Sequence, residues 1–144
     1  RRLSSAASDV YKRQVQVGIR GTNYDSEDRD FALTEGIRII TIEEFFDRGV
    51  SDVMSEVKSI LGNKETYLSY DIDFIDPAFA PGTGTPEVGG PNSFQALDVI
   101  RKLSGINLIG ADLVEISPPF DQSGGTAFLG SSILFEILCI LASK

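Results

Sequence analysis

The chain has 144 residues, of which 42% are hydrophobic, and its formal net charge is −8, with no histidine and one cysteine. This composition is typical of a soluble globular domain. The negative charge argues against a nucleic-acid partner, because proteins that bind the phosphate backbone carry a basic patch that displaces counterions. Cys139 lies in an apolar stretch and has no partner for an intrachain disulfide. We therefore expect a buried thiol in a reducing compartment, which favours a cytoplasmic location.

Two segments bear on targeting and membrane association. Residues 1–14, RRLSSAASDVYKRQ, are charged and lack an apolar core of signal-peptide length. We interpret them as a disordered or non-native leader and place the domain at residues 15–144. The apolar segment 127–142 is shorter than the roughly 20 residues that span a bilayer, and Glu136 interrupts it. A buried core helix is therefore expected there, and no membrane partner.

From Val15 onward, strand-like and helix-like segments alternate. Residues 15–20 read as a short β-branched strand, a helix follows that ends at Gly36, and residues 37–42 read as a second, buried strand. In residues 43–62 the apolar side chains recur at spacings of three and four, which predicts one helix that ends at Gly62. Those apolar positions are Val50, Val53, Met54, Val57, Ile60 and Leu61.

The second part of the chain continues the alternation. Residues 66–73 and 106–116 read as the third and fourth strands, and a helix between them is capped by Asn92 or Ser93 and ends at Gly105. A last helix begins near Gly125 or Thr126. This order predicts an α/β fold in three layers, with helices on both faces of a mostly parallel sheet. The nearly continuous apolar character of the strands agrees with that arrangement.

Acidic side chains gather where two predicted strands end. Asp71 and Asp73 close the third strand, and since they lie two residues apart we expect them to project to the same side. Two carboxylates this close repel each other unless a cation compensates, and hard divalent metals prefer oxygen ligands. Aspartates at strand ends are also common as loop formers or helix caps, so the pattern alone leaves both interpretations open.

A third carboxylate is expected at the same edge. Glu115 comes late in the fourth strand and would share the edge of the sheet where ligands bind in parallel α/β folds. A carboxylate there can accept two parallel hydrogen bonds from a guanidinium, or it can pair with an ordinary lysine or arginine. The loop GTGTPEVGG, residues 82–90, lacks the lysine of a phosphate-binding loop and does not lead directly into a helix. Its glycines allow the backbone to approach a ligand closely.

Two motifs together resemble the ureohydrolases, the arginase and agmatinase family. They are SYDIDFIDPAFAPGTGTPEVGG, residues 69–90, and GADLVEISPPFD, residues 110–121, and the stretch VGIRGTNYDSEDRDFA, residues 17–32, is more similar to the agmatinase branch. The resemblance implies an arginase-like three-layer fold that is incomplete on its N-terminal side. It also implies hydrolysis of a guanidino compound to urea and an amine, as in polyamine metabolism. Two manganese ions activate the attacking water in this family.

The resemblance also implies roles for individual residues. Asp71 and Asp73 match metal ligands, with Asp71 bridging both ions, and Glu115 matches the residue that orients the substrate's guanidinium. Thr85 is expected to line the substrate pocket, and Asp76 to serve the structure of the loop. No further catalytic residue is assigned. Members of the family form trimers or hexamers, so a homo-oligomer is expected of the complete enzyme.

The chain departs from the family pattern in one major respect. The family's other metal ligands come from G-G-D-H-S and D-A-H-x-D motifs, and this chain has no histidine. We interpret the chain as the C-terminal portion of an amidinohydrolase and expect it to be inactive by itself, because two aspartates do not complete a two-metal site. The substrate, agmatine, guanidinobutyrate or another guanidino acid, stays open, as does the choice of divalent metal.

Two alternatives belong to other classes of protein. One is a non-catalytic pseudoenzyme or structural subunit that has the scaffold without the histidines. The other is a phosphoacceptor receiver domain, in which acidic residues at a strand end bind magnesium. A receiver domain needs a lysine at the end of a later strand, whereas the fourth strand here runs into EISPP, residues 115–119. The receiver interpretation is therefore disfavoured.

Overall fold

The computed structural model describes residues 13–22 and 30–143. Within them, strands and helices alternate as the sequence predicts, so the α/β class is confirmed. In chain order the elements are β1 (Val15–Ile19), α1 (Asp30–Glu35), β2 (Arg38–Thr41), α2 (Ile42–Arg48), α3 (Val50–Leu61), β3 (Thr66–Asp71), α4 (Ser93–Lys102), β4 (Leu108–Val114) and α5 (Gly125–Ala142), with short 3₁₀ helices at Ile72–Phe74 and Pro118–Phe120.

All the strand pairs among the described residues are parallel. β1 pairs with β2, and β3 pairs with β4 so that Asp71 lies opposite Val114. These residues form two separate two-stranded sheets, because β1 and β2 make no ladder with β3 and β4. The parallel pairing was predicted, but the single continuous sheet is not formed by the described part of the chain. The predicted leader lies mostly in residues 1–12, outside the described residues, and stays a prediction.

Residues 43–62 do not form one helix, contrary to the sequence-based expectation. Gly49 separates α2 from α3 with φ 79° and ψ 159°, a conformation that L side chains rarely adopt. The hydrogen bonds nevertheless continue across the break, since the Gly49 amide donates to Phe45 O at 2.9 Å and its carbonyl accepts from Val53 N at 3.2 Å. Because the apolar spacing also runs on through the break, hydrophobic periodicity alone did not reveal it.

The asparagine cap of α4 is confirmed. The Asn92 side chain accepts from Gln95 N at 2.9 Å, and the Gln95 side chain accepts from Asn92 N at 3.1 Å. This reciprocal pair is a capping box, which satisfies two amides that a helix start leaves unbonded. It fixes where the chain re-enters a helix after the glycine-rich loop.

Helix α5 is not the fully buried core helix that its composition suggested. Ile133, Ile137 and Ile140 are buried against the rest of the chain, whereas Phe128 is 76% exposed and Phe135 is 65% exposed. The helix is apolar all round, so its sequence carries no period that would distinguish the inner from the outer face.

Two further findings concern α5. Among the described residues it is the one helix long and apolar enough to cross a membrane by length and composition, and core helices of soluble proteins pass the same test. Cys139 is exposed, contrary to the expected buried thiol. It follows the buried Ile137 by two positions, which is roughly 200° around a helix of 3.6 residues per turn.

Candidate functional site

Three carboxylates meet at the carboxyl ends of β3 and β4. Asp71 is the last residue of β3, Asp73 follows in the 3₁₀ helix, and Glu115 comes directly after β4. Because Asp71 lies opposite Val114 in the parallel ladder, Glu115 is one residue beyond the strand partner of Asp71. The structure thus brings together all three acidic residues that the sequence singled out.

The spacing of Asp71 and Asp73 predicted that both project from the strand on the same side. In the structure Asp73 lies beyond the end of β3 instead. The chain leaves β3 at Asp71 and turns into the 3₁₀ helix Ile72–Phe74, whose N-cap is Asp71. The Asp73 amide donates to Asp71 Oδ1 at 2.8 Å, which is a local side-chain-to-backbone bond that competes with strand extension. Asp71 therefore shapes the turn that carries Asp73.

The carboxylate of Asp73 is held by two threonine hydroxyls. Thr83 Oγ1 donates to Asp73 Oδ1, and Thr85 Oγ1 donates to Asp73 Oδ2 at 2.5 Å. Thr85, which we expected to line a substrate pocket, is exposed, and its bond to Asp73 places it beside the acidic residues. Thr83 is only 3% exposed and was missed by the sequence analysis. The alternating threonines in GTGTP are the signal that could have identified it.

Electrostatics at this end of the sheet favour a bound cation. Partial burial raises the pKa of Asp71, and the neighbouring charges of Asp73 and Glu115 raise it further, against the lowering effects of the Asp73 amide and the Arg20 charge. Within the described ranges, no ion pair neutralises any of these three carboxylates. A positive charge among them would relieve both the desolvation and the mutual repulsion.

Glu115 has a strained backbone. Its φ is 65°, the one positive φ of a non-glycine residue in the described part of the chain. For a residue with a long side chain this left-handed conformation costs about 1–3 kcal/mol and persists only where the surroundings enforce it. Here the next residue, Ile116, forms an isolated antiparallel bridge with Thr83, and Ser117 N donates to Gly82 O at 2.8 Å.

The loop that follows the aspartates is fastened by Asp76. Its carboxylate accepts from the amides of Ala78 at 2.9 Å, Gly89 at 2.8 Å and Gly90 at 3.2 Å. These amides lower the pKa of Asp76, so the carboxylate stays ionised and bonded. The side chain is committed to holding the loop closed, as the sequence analysis expected.

Arg20, which the sequence analysis did not single out, joins the loop to the end of β1. Its Nη2 donates to the carbonyls of Asp73 and Glu87, both at 2.7 Å, and its Nε donates to Val88 O at 3.1 Å. A guanidinium that bonds several carbonyls in this way fixes their backbone with one side chain. The signal in the sequence was an arginine at the end of the first predicted β-branched segment.

The described residues fit part of a metal site and not a whole one. Asp71 and Asp73 offer carboxylate oxygens in surroundings that favour a cation, and hard divalent metals prefer such ligands. However, no group of three or more potential ligands is found in residues 13–22 and 30–143. Any two-metal centre therefore needs ligands from other chain segments.

Comparison with known proteins identifies the family. Residues 2–139 match the sequence model of the Arginase family. The chain belongs to the arginase family. This arginase-family chain is 52% identical over 132 residues to the guanidinopropionase of Pseudomonas aeruginosa (strain ATCC 15692), covering 92% of this chain and 42% of that protein. It is 47% identical over 129 residues to the guanidinobutyrase of the same strain, covering 90% of this chain and 40% of that protein.

A solved structure extends the likeness to the fold. The crystal structure of a hypothetical agmatinase from Burkholderia thailandensis superposes with a TM-score of 0.81 at 43% identity, covering 92% of this chain and 39% of that one. The arginase-like α/β fold is thus confirmed. The arginase-family chain spans about two fifths of the length of these relatives.

Proposed function

We propose that this chain is the part of a ureohydrolase that supplies two metal-ligand carboxylates and the carboxylate that binds the substrate. The reaction is hydrolysis of a linear guanidino compound to urea and an amine. The observation that carries the proposal is the group of Asp71, Asp73 and Glu115, none of which forms an ion pair among the described residues, although the charge of Arg20 reaches Asp71. Its support from the relatives is the identity of about one half to a guanidinopropionase and a guanidinobutyrase.

Each residue has a proposed task. Asp71 and Asp73 hold divalent metal, with manganese as the proposed ion, and a bound pair of ions would supply an activated water for attack on the guanidinium carbon. Thr83 and Thr85 hold the carboxylate of Asp73 in one orientation. Glu115 accepts hydrogen bonds from the planar guanidinium and so orients the carbon that is attacked.

Several features support the proposal that more chain completes this protein. Tyr70 Oη and Asp112 Oδ1 are buried without a hydrogen-bond partner within the described ranges. Such a group costs about 1–3 kcal/mol when it stays unsatisfied. Large apolar side chains on α5, including Phe128 and Phe135, are exposed. An additional segment that pairs with the open sheet edges would cover these groups and bring the missing metal ligands.

We propose the remaining properties of the complete protein as well. Its α5 surface is covered by protein rather than by lipid, its location is cytoplasmic, and it assembles as a homo-oligomer of three or six subunits. The isolated chain is inactive, because two carboxylates leave most of the coordination positions of each metal unfilled. The substrate is a guanidino acid or agmatine, which share the group that Glu115 would bind.

The test is a measurement of urea release by the complete reading frame that contains these residues. The purified protein, loaded with Mn²⁺, would be given agmatine, guanidinopropionate and guanidinobutyrate in parallel. We expect urea from at least one of them, and none from residues 13–144 expressed alone. A second route joins the unmatched part of the Pseudomonas guanidinopropionase to residues 13–144.

One result would decide for the alternative. If the complete reading frame lacks histidine ligands and releases no urea from any of the three compounds, the protein is a non-catalytic subunit or pseudoenzyme. The chimaera then reports on the residues themselves, since its guanidinopropionase part supplies whatever this chain lacks. Urea release by the chimaera that disappears on Asp71→Asn would assign the metal-ligand role even in that case.

A further inference from the structure

Thr83 touches both halves of the acidic group. Its side-chain hydroxyl donates to Asp73 Oδ1, on the segment after β3. Its backbone forms the antiparallel bridge with Ile116, the residue that follows Glu115 after β4. Thr83 therefore contacts Asp73, the proposed metal ligand, through its side chain. Through its main chain it contacts Ile116, which follows Glu115, the proposed substrate-binding residue.

The surroundings of Thr83 leave it little freedom. It is 3% exposed, and the preceding residue, Gly82, is bonded on both sides: Gly82 N donates to Thr126 Oγ1 at 2.9 Å and Gly82 O accepts from Ser117 N at 2.8 Å. A Cβ on Gly82 would lie 2.5 Å from Asp121 Cβ, so this backbone is packed against the start of α5. The backbone that carries Thr83 is thus fastened through Gly82 to the first turn of α5.

We propose that Thr83 is a positioning residue that sets Asp73 and Glu115 at a fixed separation, so that metal and guanidinium are presented together. This inference rests on the proposed function and deepens it. The hydroxyl fixes the orientation of the Asp73 carboxylate, and the bridge to Ile116 holds the backbone that forces Glu115 into its positive φ. Partners that orient a ligand in this way change metal affinity when they are removed.

Substitutions can test the side-chain hydrogen bond of Thr83 separately from its backbone bridge. Thr83→Val removes the hydroxyl but keeps the shape of the side chain and the backbone bridge. It should lower Mn²⁺ affinity by about 10- to 100-fold, the loss that outer partners of metal ligands typically cause. It should leave the KM for the guanidino substrate unchanged at saturating Mn²⁺. Thr83→Ala also leaves a void under the bridge, and should raise KM in addition.

The experiment uses the complete protein and three readouts. Mn²⁺ affinity is measured by calorimetry on the metal-free protein and by electron paramagnetic resonance of the free ion. Folding is checked by the melting temperature of the metal-free protein, and KM is measured by urea release. Thr83→Ser keeps the hydroxyl and should retain wild-type affinity. Thr66→Val is the matched control, because the Thr66 hydroxyl bonds Lys64 O at 3.0 Å at the opposite end of β3.

The outcomes separate this inference from the proposed function. Wild-type Mn²⁺ affinity in a folded Thr83→Val variant of an active enzyme would overturn the positioning role alone. Equal losses in Thr83→Val and Thr66→Val would also overturn it, since they would indicate a general effect on the fold. A wild-type protein that neither binds Mn²⁺ nor releases urea would overturn both. If the valine variant fails to fold, the Mn²⁺ affinities of Thr83→Ala and Thr83→Ser are compared instead. Equal affinities in these two variants would overturn the positioning role.

Discussion

Two regions of the molecule differ in whether their carboxylates form ion pairs. The first region comprises β2, α2 and α3, and the second lies at the carboxyl ends of β3 and β4. In the first, Arg38 Nε contacts Glu56 Oε1 at 2.6 Å, and Arg48 contacts Glu44 at 2.6 Å and Asp52 at 2.6 Å. Arg38 also pairs with Glu44, and Arg48 with Glu56 at 2.5 Å. Every carboxylate in this network has a guanidinium beside it, and the network joins one strand to two helices.

In the second region, none of the three carboxylates forms an ion pair within residues 13–22 and 30–143. Asp71, Asp73 and Glu115 crowd together, and burial with mutual repulsion raises the pKa of Asp71. By contrast, the arginines lower the pKa values of Glu44 and Glu56 through hydrogen bonds. This difference between the two regions is the reason why the proposed metal site is placed at the ends of β3 and β4.

The largest expected effect separates function from stability in the second region. Asp71→Asn in the complete protein should reduce urea release by at least about 100-fold, because a ligand itself matters more than the partners that orient it. The melting temperature of the metal-free protein should stay within a few degrees, since the amide oxygen still accepts the Asp73 N–H. Activity that survives Asp71→Asn would remove the main support for the proposed site.

A second prediction tests the packing beneath Glu115. A Cβ on Gly130 of α5 would lie 2.5 Å from Ile116 Cδ1 and 3.1 Å from Leu113 Cδ2, on either side of Glu115. Gly130→Ala should lower kcat/KM by about tenfold through misplacement of that carboxylate. Stability should change less, because the helix propensity of alanine offsets the clash by about 1 kcal/mol. Ser131→Ala, at an exposed neighbouring position, is the control.

Substitutions in the first region should lower the stability of the protein and leave its activity unchanged. Arg38→Met leaves Glu44 and Glu56 with one arginine fewer and should destabilise the protein by about 0.5–1 kcal/mol, the range for partly exposed pairs. The loss should shrink in 1 M salt, because ions screen exposed charges. Activity at saturating Mn²⁺ should not change. A loss of Mn²⁺ affinity would mean that the two regions are coupled.

The smallest effect concerns a carboxylate near the acidic group that does have partners. Asp121 accepts from Thr126 N at 3.2 Å and from Ala127 N at 2.8 Å at the start of α5. The Ala127 amide above all lowers the pKa of Asp121. Since the folded-state pKa lies below the unfolded one, the stabilisation is present above the unfolded pKa and is lost as the pH falls through the folded one.

Thermal melting of Asp121→Asn at two pH values checks this sign. The variant should melt a few degrees below the wild type at pH 7, and the gap should be smaller near pH 3, below the usual aspartate pKa of about 3.9. Mn²⁺ affinity should be unaffected. A gap of equal size at both pH values would show that shape, rather than charge, is what Asp121 contributes to the helix start.

Much of the fold was predictable because its signals are local. The order of strands and helices followed from spacing, and the cap of α4 was predicted at Asn92 or Ser93, of which Asn92 forms it. The break at Gly49 was missed because the apolar period continues across it, and the exposed side of α5 was missed because the helix is apolar all round. In both cases the pattern of apolar and polar residues does not change where the structure changes, so the sequence could not reveal the feature.

The site shows the same division. By itself, the sequence determined which carboxylates gather at the ends of the third and fourth strands, because parallel strands end at one edge and the motifs place Asp71, Asp73 and Glu115 there. Only the tertiary structure decided that Thr83 holds Asp73, and that Glu115 is forced to φ 65°. The Thr83–Asp73 contact depends on how the glycine-rich loop folds back on β3, and the bridge from Thr83 to Ile116 joins two distant segments, so tertiary packing sets both.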